Sequence, residues 1–276
     1  MTTIRQITRR LRGHLAILLA AGLAAGGAGA AEYRFSPEPI YTPEAARDIY
    51  RPLLEYLGRE TGEKFVLVPP SNYGAYWRNL ALTDITDFTY DEAHFADYRI
   101  TRLDFVPLVR TVEPTSYTLM ADLQHEGKRP EDFNGMRIAT MPAPSLGYAL
   151  LAQFYPNPIE QPRLMSTARS WRDGVQILFG GEADAAIVPT WLKDTYPNLT
   201  AIVTSRQFPG PAVLAAPTVP VEVRDKVRAA LLKLGDEPEL AELLLELGIS
   251  RFVPATTGEY AGSQQLLSGF YGYKAE

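Results

Sequence analysis

Two long extended passages, 105–123 and 200–217, constrain what this chain can become. The first reads "FVPLVRT" and "SYTLMADL" on either side of Glu113-Pro114, and the second reads "TAIVTS" and then "AVLAAP". They bracket a middle block with strands and helices of its own: a strand at 163–167, a helix over 170–181, a strand at 184–189 and a short helix from Thr190. Alternation of short apolar runs with helical periodicity marks an α/β chain. Two passages around a self-sufficient block are how two lobes joined by crossing strands look in sequence. The expected lobes are 32–112 plus 206–276, and 113–205.

Residues 1–31 stand apart from that scheme. Arg5, Arg9, Arg10 and Arg12 form a basic start with no acid before Glu32, an apolar run follows, and Ala28-Gly29-Ala30 ends it in the small-residue pattern of a cleavage site. This reads as an export signal; the Gly and Ala content weakens a membrane-span reading. Setting the leader aside leaves 23 basic against 32 acidic residues, a formal charge of −9, which argues against nucleic acid or an anionic membrane as partner. With no cysteine, the chain lacks a lipid-anchor cysteine, a thiol nucleophile and a thiolate metal site. The expected location is the periplasm.

Within the outer blocks, "KFVLV" (64–68) and "ITDFTY" (85–90) read as strands, and 43–60 and 72–82 as helices. Pro52 predicts a kink or a late start in the first helix. "DEAHFADYR" is helical, and everything after 217 reads as helix, with Leu240, Leu243, Leu244 and Leu247 on one face and Gly248 as the stop.

The stretch "MRIATMPAPSLGYALLA" (136–152) is a strand, a tight turn and a helix start at Ser145. Free N–H groups and the helix dipole converge at such a start and can hold an anion. Ser145 can equally be a simple helix cap. In "TYDEAHFADY" (89–98), Tyr90, Asp91 and His94 are a possible oxygen and nitrogen ligand set for a metal, with Asp91 and His94 three apart on one helical face. The alternative is that Asp91 caps the helix and His94 sits on a satisfied polar face. Aromatics gather at loop positions expected to face a cleft: Tyr41, Tyr73, Tyr76, Trp77, Tyr90, Tyr148 and Trp191. Arg110 and Arg206 lie near the crossing passages, where either could reach a carboxylate or phosphate.

With these residues on the page, the chain resembles the phosphonate/phosphate-type periplasmic substrate-binding proteins of ABC importers. The resemblance rests on "YRPLLEYLGRETG", "VPPSNYGAYWRNL", "ITDFTY", "NGMRIATMPAPSLGY", "DGVQILFGGEADAAIV" and "LGISRFVPATTGEY", in that order. It implies a type II binding-protein fold, two mixed α/β lobes with a two-strand hinge that close over a small ligand, here a phosphonate, phosphate or other organic oxyanion. It further implies ligand contacts at Tyr73 and Tyr90, and at Ser145, Gly147 and Tyr148 in the turn before the second-lobe helix. Asp91, His94, Thr190 and Tyr41 complete the expected site. The family's acid after the "DAAIV" strand, which would hold a ligand amino group, falls at Pro189-Thr190 and is missing.

No cofactor is expected, since neither GxGxxG nor a P-loop occurs. Ser145, His94 and Asp91 are the one set that could meet as a hydrolytic triad, but the G-x-S-x-G elbow is absent, so a binder is expected rather than an enzyme. The partners expected are a small anionic ligand and either an ABC permease or a membrane sensor, with the protein itself a monomer.

Overall fold

The first helix shows how local sequence and burial settle a boundary together. In this computed structural model, which describes residues 30–82 and 86–273, strand β1 (Glu32–Pro37) leads into α1 (Pro43–Thr61). Thr42 caps α1 by accepting from Ala45 N at 3.3 Å, Pro43 takes the first position where no N–H is needed, and Gly62 ends it at φ +77°. Contrary to the late start allowed for at Pro52, the helix runs unbroken through that residue. An interior proline costs about 3 kcal/mol. Tyr50, Leu53, Tyr56 and Leu57 are buried on one face, and each such side chain returns about 1.5–3 kcal/mol.

The chain continues through β2 (Lys64–Leu67), α2 (Tyr73–Leu82), β3 (Phe88–Asp91), α3 (Ala93–Leu103), β4 (Val106–Thr111) and β5 (Tyr117–Asp122). Then come β6 (Arg137–Ala139), α4 (Leu146–Phe154), β7 (Arg163–Met165), α5 (Trp171–Phe179), β8 (Ala185–Pro189) and β9 (Leu199–Thr204). The last elements are β10 (Ala212–Ala215), α6 (Val221–Lys233), α7 (Ala241–Leu247) and β11 (Phe252–Pro254). The leader expected over 1–31 lies, but for its last two residues, outside the described part. The segment after 217 is not all helical, because β11 adds a short antiparallel edge to β4. Three residues are too few to leave a period in the sequence. The short helix expected from Thr190 is a 3₁₀ helix, Thr190–Thr195.

Two mixed sheets result. One has the order β11-β4-β10-β3-β1-β2 and the other β7-β6-β8-β5-β9. Each extended passage divides between them: β4 and β10 lie in the first, β5 and β9 in the second. Where the chain crosses, Thr115 and Phe208 pair antiparallel, each N–H donating to the other's carbonyl at 3.0 and 2.8 Å. Gly210 permits this approach, since a Cβ there would lie 2.0 Å from Thr111 Oγ1 and 2.3 Å from Glu113 O.

Helix α3 is buried without interruption from Ala93 to Arg99, between the first sheet and the turns at 257–267. Its polar groups must therefore find partners inside the protein. Arg99 Nε donates to Asp91 Oδ2 at 2.7 Å, with both side chains essentially inaccessible, and Tyr76 Oη donates to Asp91 Oδ1. The guanidinium also lies 5.0 Å from the Phe105 ring centre and 5.5 Å from that of Tyr76. Removing one partner of such a pair strands a buried charge. Arg99→Met is expected to cost on the order of 3–5 kcal/mol in urea unfolding, and adding Asp91→Asn should recover much of that loss. If Arg99→Met is neutral, the pair does not hold α3 in place.

Candidate functional site

Parallel strands that end side by side bring their following residues to one edge, and open α/β sheets bind ligands outside that edge. Here β1 pairs in parallel with β3, Pro37 opposite Tyr90. Glu38 follows the first strand; Asp91 ends the second and Glu92 follows it. Glu92 N donates to Glu38 Oε2 at 3.0 Å, and Tyr117 Oη, reaching across from the second sheet, donates to Glu92 Oε1 at 2.7 Å. The other oxygens, Glu38 Oε1 and Glu92 Oε2, are buried without a hydrogen-bond partner. The two residues expose only 3% and 8% of their surface. Burial, and then the neighbouring carboxylates, push Glu38 well above the usual range. Burial lifts Glu92 to about 7 against the pull of the hydrogen bond from Tyr117.

Both line a cavity of about 540 Å³ between the sheets. Its walls include Tyr41, Tyr50, Tyr90, Ile249, Trp171 and Trp191, with Glu113, Arg169 and Arg172 among the polar groups. Arg172 pairs with Glu246 at 3.4 Å and its guanidinium lies 5.5 Å from the Trp191 ring centre. Trp191, from the second sheet's side, covers Gly248 at the end of α7, where a Cβ would stand 2.6 Å from the indole. Glu113 Oε1 accepts from the Ser250 amide at 3.0 Å and from its hydroxyl, leaving Oε2 buried and unpartnered. Ser116, Thr190, Thr118 and Thr204 form a chain of hydroxyls beside the cavity, with links of 2.9–3.0 Å.

The structure brings some of the expected residues to this cavity and sends others elsewhere. Tyr41, Tyr90 and Thr190 line it, as does Trp191. Tyr41 Oη donates to Glu246 O at 3.1 Å, and burial raises the Tyr90 phenol well above its ordinary value. Asp91 does not line it, because Arg99 and Tyr76 hold its carboxylate. His94 is fully buried, with Nε2 donating to Pro144 O at 3.0 Å; desolvation lowers it to about 3, so its ring stays neutral at ordinary pH. With both committed, Tyr90, Asp91 and His94 do not form a metal centre, and no group of three acidic or histidine side chains suited to a metal occurs among the described residues.

Ser145 is fully buried and caps α4: its Oγ accepts from Tyr148 N at 3.3 Å and donates to Met141 O at the same distance. Gly147 is covered by Trp171 and Tyr117, whose rings would lie 2.9 and 3.2 Å from a Cβ there. The Tyr148 ring sits 6.0 Å from that of Phe270, and Tyr73 is buried beside Glu38 and stacked on Phe95. Tyr76 and Trp77 pack in the same first-lobe core. Arg110 is paired with Glu259 at 2.8 Å and Arg206 covers Phe208, so neither lines the cavity. Ser145, His94 and Asp91 are not linked as a triad, each being bonded to something else. Sequence reading missed Glu38, Glu113, Tyr50, Trp171 and Arg172 as wall residues. Glu38 carried a signal, an acid between two prolines directly after a strand.

The architecture is that of a two-lobe binding protein whose lobes face each other across one cavity. The model of the family described as the ABC transporter, phosphonate, periplasmic substrate-binding protein matches residues 35–260, and the chain belongs to that family. PhnD1 from Prochlorococcus marinus (MIT 9301), solved in complex with methylphosphonate, superposes with a TM-score of 0.73 at 10% identity, covering 88% of this chain and 99% of that one. A binding protein component of an ABC phosphonate transporter from Pseudomonas aeruginosa, PA3383, gives 0.69 at 17% identity over 86% and 85%. XAC2383 from Xanthomonas citri, bound to ATP, gives 0.66 at 14% identity over 86% and 96%. Comparison with curated proteins gives no match. Among the described residues no helix is long and apolar enough to cross a membrane.

The carboxylate pair has a measurable signature. An unperturbed glutamate titrates near 4.5, the folded Glu92 near 7. Between those values the folded state keeps a proton that the unfolded chain has released, so this group's contribution to stability falls as pH rises. His94, neutral when folded and depressed from 6.5, acts oppositely and loses stability as pH falls below 6.5. Glu92→Gln keeps an acceptor for Tyr117 and removes only the carboxylate term. Its melting temperature relative to wild type should climb from pH 5 to pH 8; a constant difference would mean that Glu92 titrates normally.

Proposed function

We propose that the protein is the exported, ligand-capturing component of an ABC importer, holding a small organic solute in the cavity between its lobes and presenting the closed form to a membrane permease. The observation that carries this is the cavity itself, walled from both sheets at the edge where such folds bind ligands. The lobes would be 32–112 plus 206–276, and 113–205, with the leader at 1–31 cleaved on export. The protein acts by binding alone and not by catalysis. An oxyanion on the solute is best placed toward Arg169, Arg172 and the start of α5, since the turn at Ser145 is closed by packing.

Closure follows from differential affinity: a solute touching both lobes binds the closed state more tightly and shifts the equilibrium toward it. Trp191 on Gly248 and Arg172 with Glu246 join the two sides of the cavity, so opening it would break them. Gly248→Ala is therefore expected to hold the lobes apart, because the added Cβ meets the indole and the residue sits at φ +68°. In thermal-shift assays against methylphosphonate, phosphate, small carboxylates and amines, any stabilising compound should lose its effect in Gly248→Ala. Trp191→Ala in that background should restore part of it. Ser145→Ala should lower stability by about 1 kcal/mol as a lost cap while leaving affinity unchanged. Loss of affinity in Ser145→Ala with none in Gly248→Ala would move the site to the α4 turn.

A further inference from the structure

Apolar surface is left uncovered at the centre of this molecule. Ile40, Ile49, Leu247 and Ile249 are only partly buried, and they line the space of about 540 Å³ between the sheets. Three rings share this wall and come from both sides: Tyr41 and Tyr90 from the first sheet's side, Trp171 from the second's. Each is backed by another ring. Tyr41 meets Tyr50 edge-on with 6.4 Å between ring centres, Tyr90 meets Phe252 at 6.2 Å, and Trp171 meets Tyr117 at 5.0 Å. Contacts of this kind set the planes of the wall rings before any solute arrives.

Charge on the wall is at the rim or already engaged. The side chains of Arg169 and Arg172 are 78% and 41% exposed, and they pair with Asp173 at 4.0 Å and Glu246 at 3.4 Å. Glu92 is engaged by Tyr117 and Glu113 by Ser250. The hydroxyls of Ser116 and Thr190 bond each other at 2.9 Å. A compact anion such as methylphosphonate would leave most of this space to water against apolar walls, which is unfavourable. An apolar cavity of about 150 Å³ takes one benzene, so this one has room for a substituted ring or two fused rings.

We propose that the solute is an aryl compound, its flat ring filling the cavity against Tyr41, Tyr90 and Trp171, with any oxyanion it carries left at the rim beside Arg169 and Arg172. A flat ring makes edge-to-face and offset contacts with such walls that a saturated ring of similar size lacks. Reaching from Tyr41 to Trp171, it touches both sides of the cavity and so favours closure. This rests on the reading that the solute occupies this cavity.

The test holds the head group fixed and varies the body: methyl-, cyclohexyl-, phenyl- and naphthylphosphonate, titrated by calorimetry into the mature protein. Phenylphosphonate should bind at least about tenfold more tightly than methylphosphonate, from the extra apolar area buried. It should bind about threefold more tightly than cyclohexylphosphonate, from ring-to-ring contact. The naphthyl probe should bind no more weakly than the phenyl one. Tyr41→Leu keeps an apolar wall but removes a ring, so the preference for phenyl over cyclohexyl should shrink while cyclohexylphosphonate binds as before. Gly248→Ala should weaken every ring-bearing probe. Equal binding of the methyl and phenyl probes, or of the cyclohexyl and phenyl probes, overturns the aryl class; loss of that binding in Gly248→Ala would still support the cavity. An aryl preference that persists unchanged in both variants overturns the aryl site and the cavity reading together. Binding by none of the four overturns the aryl class, and the cavity reading is then decided by the thermal-shift comparison with Gly248→Ala.

Discussion

The end of β1 beside the end of β3 sets the problem that the surrounding structure answers. Parallel pairing of Pro37 with Tyr90 forces Glu38, Asp91 and Glu92 into one space with little water. Three carboxylates cannot all ionise there without counter-charge. Asp91 is satisfied inward by Arg99 and Tyr76, which fixes α3 against the sheet. Glu92, one residue further on, turns toward the cavity and is met by Tyr117 from the opposite sheet. The same crowding that raises the pair's proton affinity links the two lobes by a hydrogen bond.

That link is one of several between the two sides. His94 to Pro144, Arg172 to Glu246 and Trp191 on Gly248 all run between elements of different sheets. Each is small, and the Arg172–Glu246 pair, being partly exposed, is worth about 1 kcal/mol or less. Their value is in number and position, since a hinge of two strands pinned by Thr115 and Phe208 needs only modest differential contact to favour one state. The Thr115–Phe208 pairing is local to the crossing, which leaves the contacts between the two sides of the cavity as the part a solute can bias.

The two-lobe plan was legible because it depends on composition over long runs: two extended passages and an autonomous block between them. Every strand foreseen between 105 and 217 is present at nearly its expected place. The site was much less legible. Asp91 and Glu92 are adjacent acids at a strand end, and only tertiary packing decides which one Arg99, eight residues on, will claim. Tyr73 and Tyr90 look alike in sequence, yet one is stacked on Phe95 and the other faces the cavity. Glu113 becomes a wall residue through Ser250, a contact across 137 positions that no local pattern encodes.

The turn at Ser145 shows why a motif and its chemistry can separate. A strand, a turn and a capped helix start are all there, so the backbone donors that could hold an anion exist in principle. Access is what differs. Trp171 and Tyr117 lie over Gly147, His94 closes on Pro144, and the Ser145 hydroxyl is spent on Met141 and Tyr148.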